Sequence, residues 1–142
     1  MTYGITVVEL EDPAKKKILE RLLVDREQKL ETLVTKAENI VRIDRKSGEP
    51  VIVVPRSELT DRQLIGAYMI GKYFSNELGL VKTATVTTRE LAEKLPLDLK
   101  VASARLSELK KEAIVKSISR GEYKIVFQGI EILLDDIRKS MQ

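Results

Sequence analysis

The sequence contains no histidine, no cysteine and no tryptophan, and it has only two asparagines. Without histidine and cysteine, neither the usual zinc sites nor a serine–histidine or cysteine–histidine nucleophile pair is possible. An enzyme would have to depend on carboxylates, lysines or tyrosines. The absence of cysteine also excludes a disulfide framework and makes a cytoplasmic location the default expectation. Abundant lysine and glutamate with few asparagines is typical of heat-adapted proteins.

Long apolar runs are missing as well. No stretch approaches the ~18 uninterrupted apolar residues of a membrane span, and the N-terminus lacks a basic-then-apolar signal pattern. With 142 residues, of which 43% are hydrophobic and 33% charged, the chain belongs to the charge-rich folded class. We therefore expect one domain, or one domain with a substantial appendage, and no contact with a membrane.

The positive charge is unevenly distributed. Residues 1–80 carry 13 basic and 13 acidic side chains, whereas residues 81–124 carry 10 basic and 6 acidic side chains. A local excess of four positive charges on a chain whose net charge is +3 favours a polyanionic partner for that segment.

The first half of the chain predicts a long helix from Pro13 to about Ile40, with Asp12 as its N-cap. Its apolar residues alternate three- and four-residue steps once Arg26 is counted: Leu19, Leu23, Leu30, Leu33, Ala37 and Ile40. Such a seam favours either a homodimer through a two-stranded coiled coil over residues 13–40 or a helix packed on its own domain. Light scattering that finds the full chain monomeric would exclude the homodimer.

Two β-rich runs follow, Val41–Asp44 and Val51–Val54, and they flank a Ser-Gly turn. This pattern predicts a β-hairpin. Residues 55–59 read as a linker. We therefore predict an N-terminal part, residues 1–56, with the long helix and the hairpin, and a second domain, residues 57–142.

The second part opens with a capping box, Thr60 with Gln63, and an apolar helix. Gly66 to Lys72 spell the G-x-x-x-x-G-K of a phosphate-binding loop, but Tyr73 stands where that loop needs serine or threonine. Because the run lies inside a periodic helix, we interpret its two glycines as sites of close helix packing.

Three further elements are predicted to carry the function. A second capping box, Thr87 with Glu90, opens a short helix that Pro96 ends, and Asp98 then caps a helix that runs to about Glu112. Ala102, Leu106 and Leu109 line one face of that last helix.

A hairpin and a final helix complete the chain. The hairpin has strands at Ile114–Ile118 and Tyr123–Phe127, joined by the polar turn Ser119–Glu122. Gly129 is predicted to separate a final helix, Ile130 to about Lys139.

The order helix, extended link, helix, proline-marked turn, helix and hairpin resembles the winged helix-turn-helix family. Residues 87–95 (TTRELAEKL) look like the first helix of the motif, and residues 101–112 (VASARLSELKKE) are similar to recognition helices of bacterial and archaeal transcription regulators. One departure is Ala113, where the family usually has glycine, so the shape of the helix end is in question. The resemblance covers the C-terminal half only and implies an α+β, mostly α fold.

The resemblance implies that residues 98–112 enter the major groove of double-stranded DNA, with a wing near residues 118–123 on the adjacent backbone. The candidate nucleic-acid-binding residues are Arg89, Lys100, Ser103, Arg105, Ser107, Lys110, Lys111, Lys116, Arg120 and Lys124. We also expect Arg105 to be within reach of Glu108.

The function expected from this reading is that of a non-catalytic DNA-binding protein, a transcriptional regulator or a chromatin-associated factor, with no cofactor and no metal. The alternative is a winged-helix module that binds protein partners in transcription, replication or RNA-processing machinery. An enzyme that acts through carboxylates is a distant third.

Overall fold

The computed structural model describes residues 12–141, and these form an α+β, mostly helical structure. The helices are α1 (Pro13–Glu20), α2 (Arg26–Ala37), α3 (Asp61–Glu77), α4 (Thr88–Lys94), α5 (Leu99–Lys111) and α6 (Phe127–Ser140). The strands are β1 (Val41–Ile43), β2 (Pro50–Ile52), β3 (Val86–Thr87), β4 (Val115–Ser119) and β5 (Glu122–Ile125). The predicted fold class, α+β and mostly α, is confirmed at this level.

The prediction of one continuous helix over residues 13–40 is wrong. Asp12 caps α1 as expected, with its carboxylate accepting from the backbone N–H of Ala14 at 3.0 Å, but α1 ends at Glu20. Asp25 then accepts a hydrogen bond from the backbone N–H of Gln28 at 3.1 Å and starts α2. No residue of α1 is buried, so no packing holds a longer helix together against this second cap.

The break also removes the continuous apolar seam. Leu22 and Val24 lie between the two helices and are 78% and 72% exposed. Farther along, Leu33 and Ala37 of α2 are buried, and α2 ends three residues before Ile40. Self-association through this part of the chain stays a prediction, but a coiled coil over the whole of residues 13–40 has no continuous helix to form it.

The predicted hairpin is present. β1 and β2 pair antiparallel, with Val41 opposite Ile52 and Ile43 opposite Pro50. The hairpin packs on α3 so closely that a Cβ atom at Gly71 would lie 2.7 Å from the Cβ of Pro50. By its contacts the described part of the chain divides into two units, with the boundary between Glu31 and Thr32. The hairpin therefore belongs with α3 in the second unit, whereas the sequence placed the boundary after residue 56.

Helix α3 is the centre of the second unit. The predicted capping box is complete, since Thr60 accepts from the Gln63 backbone and Gln63 accepts from the Thr60 backbone. The run from Gly66 to Lys72 lies inside α3, as expected, and a Cβ atom at Gly66 would lie 2.7 Å from Leu133 of α6. The prediction that the two glycines of this run allow close packing is confirmed.

Strands β3, β5 and β4 form one antiparallel sheet in that order. The extended link before α4 is thus a strand, and it pairs with β5 through Val86 opposite Tyr123. Val115 of β4 lies opposite Ile125 of β5, and both side chains are buried. Both strands lie within two residues of their predicted positions.

Gly129 was predicted to separate the final helix from the hairpin. This prediction is wrong, because α6 already begins at Phe127. A Cβ atom at residue 129 would clash with the carbonyl oxygen of Ile114. The glycine therefore lets the first turn of α6 approach the chain where it enters β4. Close approach and helix termination both favour glycine, which is why the sequence pattern alone did not separate them.

Candidate nucleic-acid interface

Helix α5 presents a polar face because its other face is fixed in the core. Ala102, Leu106 and Leu109 are fully buried, as their spacing predicted. Asp98 caps the helix by accepting from the backbone N–H of Lys100 at 2.8 Å. The opposite face is exposed and carries Lys100, Ser103, Ala104, Ser107, Lys110 and Lys111.

The end of α5 has the shape that normally requires glycine. Ala113 adopts a φ of +61°, in the left-handed region. The backbone N–H groups of Ala113 and Ile114 donate to the carbonyls of Lys110 and Leu109, both at 3.0 Å. This is the Schellman pattern, and it turns the chain from α5 into β4. Ala113 therefore takes the left-handed conformation that glycine adopts more easily.

The turn between β4 and β5 is joined to the start of α4. Gly121 has a φ of +75°, and its carbonyl accepts from the backbone N–H of Thr88 at 3.1 Å. Thr87, the N-cap of α4, lies opposite Glu122 in the sheet. These contacts bring Arg120 in the turn close to Arg89 in the first turn of α4.

An open depression of about 680 Å³ lies between α4, α5 and this turn. Arg89, Lys100, Ser103 and Arg120 line it together, so four of the ten candidate residues meet at one place. Thr88 and Leu99 complete much of the wall. The sequence named the four separately, and the pairing of β3 with β5 is what assembles them.

The other candidates lie outside the depression. Lys116 and Lys124 are directly opposite each other in the pairing of β4 with β5. Like charges at opposed positions of an antiparallel pair repel each other. Arg105, Ser107, Lys110 and Lys111 continue along α5 and do not line the depression.

Most of the candidate cations have no carboxylate partner. Arg105 pairs with Glu108 at 3.2 Å, as expected. Among residues 12–141, the other seven have no carboxylate within 4.0 Å: Arg89, Lys100, Lys110, Lys111, Lys116, Arg120 and Lys124. Six of the seven are exposed and Lys124 is half-buried, and none would lose an existing ion pair by binding an anion.

Among the acidic residues of the same segment, Glu122 lines the depression, whereas Glu90, Glu108 and Glu112 pair with cations. Glu112 pairs with Arg62 of α3, and Glu122 accepts a hydrogen bond from Ser119. The side chain of Glu90 does not return to Thr87, so the second predicted capping box is only half formed. Glu90 instead accepts from the Tyr68 hydroxyl at 2.6 Å and from Lys72 Nζ at 2.7 Å.

The contact of Glu90 with α3 was missed by sequence reasoning. Burial raises the pKa of Tyr68 well above its ordinary value, and the carboxylate of Glu90 raises it further. Lys72 and Glu90 are only 16% and 22% exposed. No local pattern joins residues that are 18 and 22 positions apart, so only the fold shows that Glu90 fixes α4 to α3.

Two kinds of site are not found in the part of the chain that the structure describes. Residues 12–141 contain no group of three or more acidic side chains placed to hold a metal ion. No helix among them is long and apolar enough to span a membrane. Comparison with protein-family models, with curated proteins and with solved structures gave no match.

Proposed function

We propose that residues 57–142 form a winged helix-turn-helix domain that binds double-stranded DNA without catalysing a reaction, as a transcriptional regulator or a chromatin-associated factor does. The observation that carries the proposal is the distribution of ion pairs. Seven cations on α4, α5 and the β4–β5 hairpin, six of them exposed and Lys124 half-buried, have no carboxylate partner among the described residues. Unpaired cations on one continuous run of elements are what phosphate binding requires.

The order of elements supports the same proposal. α4 and α5 are joined by the short turn Leu95–Asp98, and the β4–β5 hairpin follows α5 directly. In this arrangement the first turns of α5 enter the major groove and the hairpin turn lies on the adjacent backbone. Ser103 and Ala104 are short side chains on the exposed face, so they allow the helix to approach the base edges.

Five of the seven cations have a role in this mechanism. Lys100, in the first turn of α5, reaches a base edge or a phosphate. Arg89 and Arg120 flank the depression from α4 and from the hairpin turn, where they contact backbone phosphates. Lys116 and Lys124 add charge along the hairpin, and a bound phosphate relieves their mutual repulsion.

A protein-binding function is the second candidate, and one observation favours it. Leu99 and Ile118 are 51% and 48% exposed, and Leu99 lines the depression. Exposed apolar side chains among charges are common at the centres of protein interfaces. A protein partner that covers both the start of α5 and β4 would bury them, whereas DNA would leave them partly in contact with water.

Salt-dependent binding to duplex DNA separates the two functions. We expect the anisotropy of a labelled 20-base-pair duplex to give an affinity that falls with salt at a logarithmic slope of roughly −4.5, for about five phosphate contacts. Lys100→Gln and Arg120→Gln should each reduce that slope by roughly 0.9. Lys139→Gln removes one charge from α6 and is the matched control.

The double variant Lys100→Glu/Arg120→Glu gives the sharpest outcome. If it keeps its circular-dichroism spectrum and loses duplex binding by at least about a hundredfold, the DNA proposal holds. If it binds DNA as the unchanged protein does, or if the unchanged protein shows no binding at low salt, the proposal is wrong. Retained capture of a protein partner by the same variant would then support the interaction module.

A further inference from the structure

Exposed apolar side chains are concentrated in α1, in the start of α2 and in the turn between these helices. Six large aliphatic side chains, which we call the apolar patch, are between 39% and 78% exposed: Ile18, Leu19, Leu22, Leu23, Val24 and Leu30. All six precede Thr32 and so lie within the first of the two units. Single exposed apolar residues are common on protein surfaces, whereas a group of them marks a binding surface.

Four members of the apolar patch lie on one side of the chain. The backbone N–H groups of Leu22 and Leu23 donate to the carbonyls of Leu19 and Glu20, both at 3.0 Å, so the chain continues to coil after α1 ends. Residues four positions apart on such a coil are neighbours. Ile18 therefore adjoins Leu22, and Leu19 adjoins Leu23.

Helix α1 gains no stability from the core of its own chain. It has eight residues, and none of them is buried. Helices shorter than ~12–15 residues are marginal in water, and most helices in proteins are stabilised by packing on an apolar face. A partner that covers the apolar patch would supply this packing.

The charges around the apolar patch are arranged by sign. Residues 12–21 carry four basic and two acidic side chains, whereas residues 25–31 carry three acidic and two basic side chains. An interface between two copies related by a two-fold axis uses the same surface twice, so that surface must be complementary to itself. Here the basic segment of one copy matches the acidic segment of another. The five acidic side chains of these two segments would oppose binding to an anionic membrane.

The area of the apolar patch is sufficient for a weak dimer. A large aliphatic side chain presents on the order of 100 Å² of apolar surface, so the exposed fractions of the six side chains amount to roughly 350 Å² per copy. About 60% of the area of a homodimer interface is apolar. Two copies would therefore bury roughly 1,200 Å² in total, which is the lower limit for a specific interface.

We propose that two copies of this chain associate through the apolar patch as an antiparallel two-fold dimer, with residues 12–21 of each copy beside residues 25–31 of the other. Burial of the apolar side chains supplies most of the binding free energy, and the charges set the orientation. Unlike a coiled coil, this dimer needs no continuous helix. It shares no residue with the proposed DNA interface and does not depend on DNA binding.

Light scattering on the full chain over a series of concentrations, without DNA, tests the dimer. We expect the mass of two chains at high concentration, with a Kd on the order of 10 μM because the interface is small. Leu22→Glu should weaken the association at least about a hundredfold, because it would bury a charge in the interface. Leu78→Glu changes a leucine that is 67% exposed outside the apolar patch. It is the matched control and should leave the dimer unchanged.

An exchange of charges tests whether the partner is a second copy. Lys15, Lys17 and Glu27 are exposed, so their replacement should leave the fold intact. Lys15→Glu/Lys17→Glu and Glu27→Lys should each weaken self-association about tenfold, because each brings like charges together. An equimolar mixture of the two variants should associate as the unchanged protein does, since opposite charges then meet again. If either variant is poorly folded, the comparison of Leu22→Glu with Leu78→Glu still decides the matter.

Three results would overturn the proposal. One is a monomer at every concentration up to about 1 mM. Another is a dimer that Leu22→Glu leaves unchanged, because the interface would then lie elsewhere. The third is a monomer that sediments with phosphatidylserine vesicles through the apolar patch, which would make this surface a membrane contact.

Discussion

The cations of α3 and those of the α5 face differ in what lies next to them. Arg62 and Lys72 of α3 each meet a carboxylate from another helix, Glu112 and Glu90. Lys100, on α5, meets none among the described residues. A paired cation joins elements of the fold and is neutralised there, whereas an unpaired one keeps its charge for a ligand. The side-chain types are the same, so the neighbours decide the role.

The largest effect on stability is expected when a paired cation loses its carboxylate. Glu90→Ala leaves the buried Tyr68 hydroxyl and the mostly buried Lys72 ammonium without their shared acceptor. We expect the free energy of unfolding to fall by about 3 kcal/mol in urea denaturation. Lys100→Ala, its counterpart on the unpaired side, should change it by less than about 0.5 kcal/mol. Similar losses in both variants would contradict the distinction.

An intermediate effect is expected from the pH dependence of the same contact. The pKa of Tyr68 is raised in the folded protein, so its contribution to stability is present below pH ~10 and is lost as the pH rises toward the folded pKa. Between pH 9 and pH 11, the unchanged protein should lose about 1.4 kcal/mol more stability than Tyr68→Phe. Parallel losses in the two proteins would show that Tyr68 ionises as freely in the folded state as in the unfolded one.

The smallest effect on stability is expected from a substitution that changes no charge. Ala113→Gly puts the preferred residue at a φ of +61°. We expect the midpoint of thermal unfolding to rise, with a gain of about 0.5–1 kcal/mol, because the left-handed region costs alanine about 1–2 kcal/mol and glycine is freer in the unfolded chain. The slope of DNA affinity against salt should not change. A lower midpoint would show that the Ala113 methyl group makes a contact that stabilises the folded protein.

Local patterns predicted the elements around the proposed interface well. Asp98 and the spacing of Ala102, Leu106 and Leu109 placed α5 correctly, because a cap and an apolar stripe are both contained in neighbouring residues. The strands of the second hairpin were placed within two residues for the same reason. Arg105 with Glu108 was predicted because the two are three residues apart on one helix.

Contacts between distant residues were beyond such patterns. The capping-box spacing explains only the hydrogen bond of the Glu90 backbone. The side chain of Glu90 instead accepts hydrogen bonds from Tyr68 and Lys72 on another helix. In the sequence, Asp25 is one polar residue within a predicted long helix. It caps a new helix in the structure, where no residue of α1 is buried. The meeting of Arg89 with Arg120 depends on the pairing of β3 with β5, which no spacing in the sequence encodes.

The two opposed lysines of the second hairpin should make the stability of the free protein depend on dissolved counterions. Lys116 and Lys124 face each other across β4 and β5, and dissolved ions screen their repulsion. Added salt should therefore stabilise the hairpin of the free protein, whereas it lowers the affinity of any complex that depends on contacts with phosphates. At low ionic strength the repulsion between the two lysines is greatest, so the hairpin should then be at its least stable.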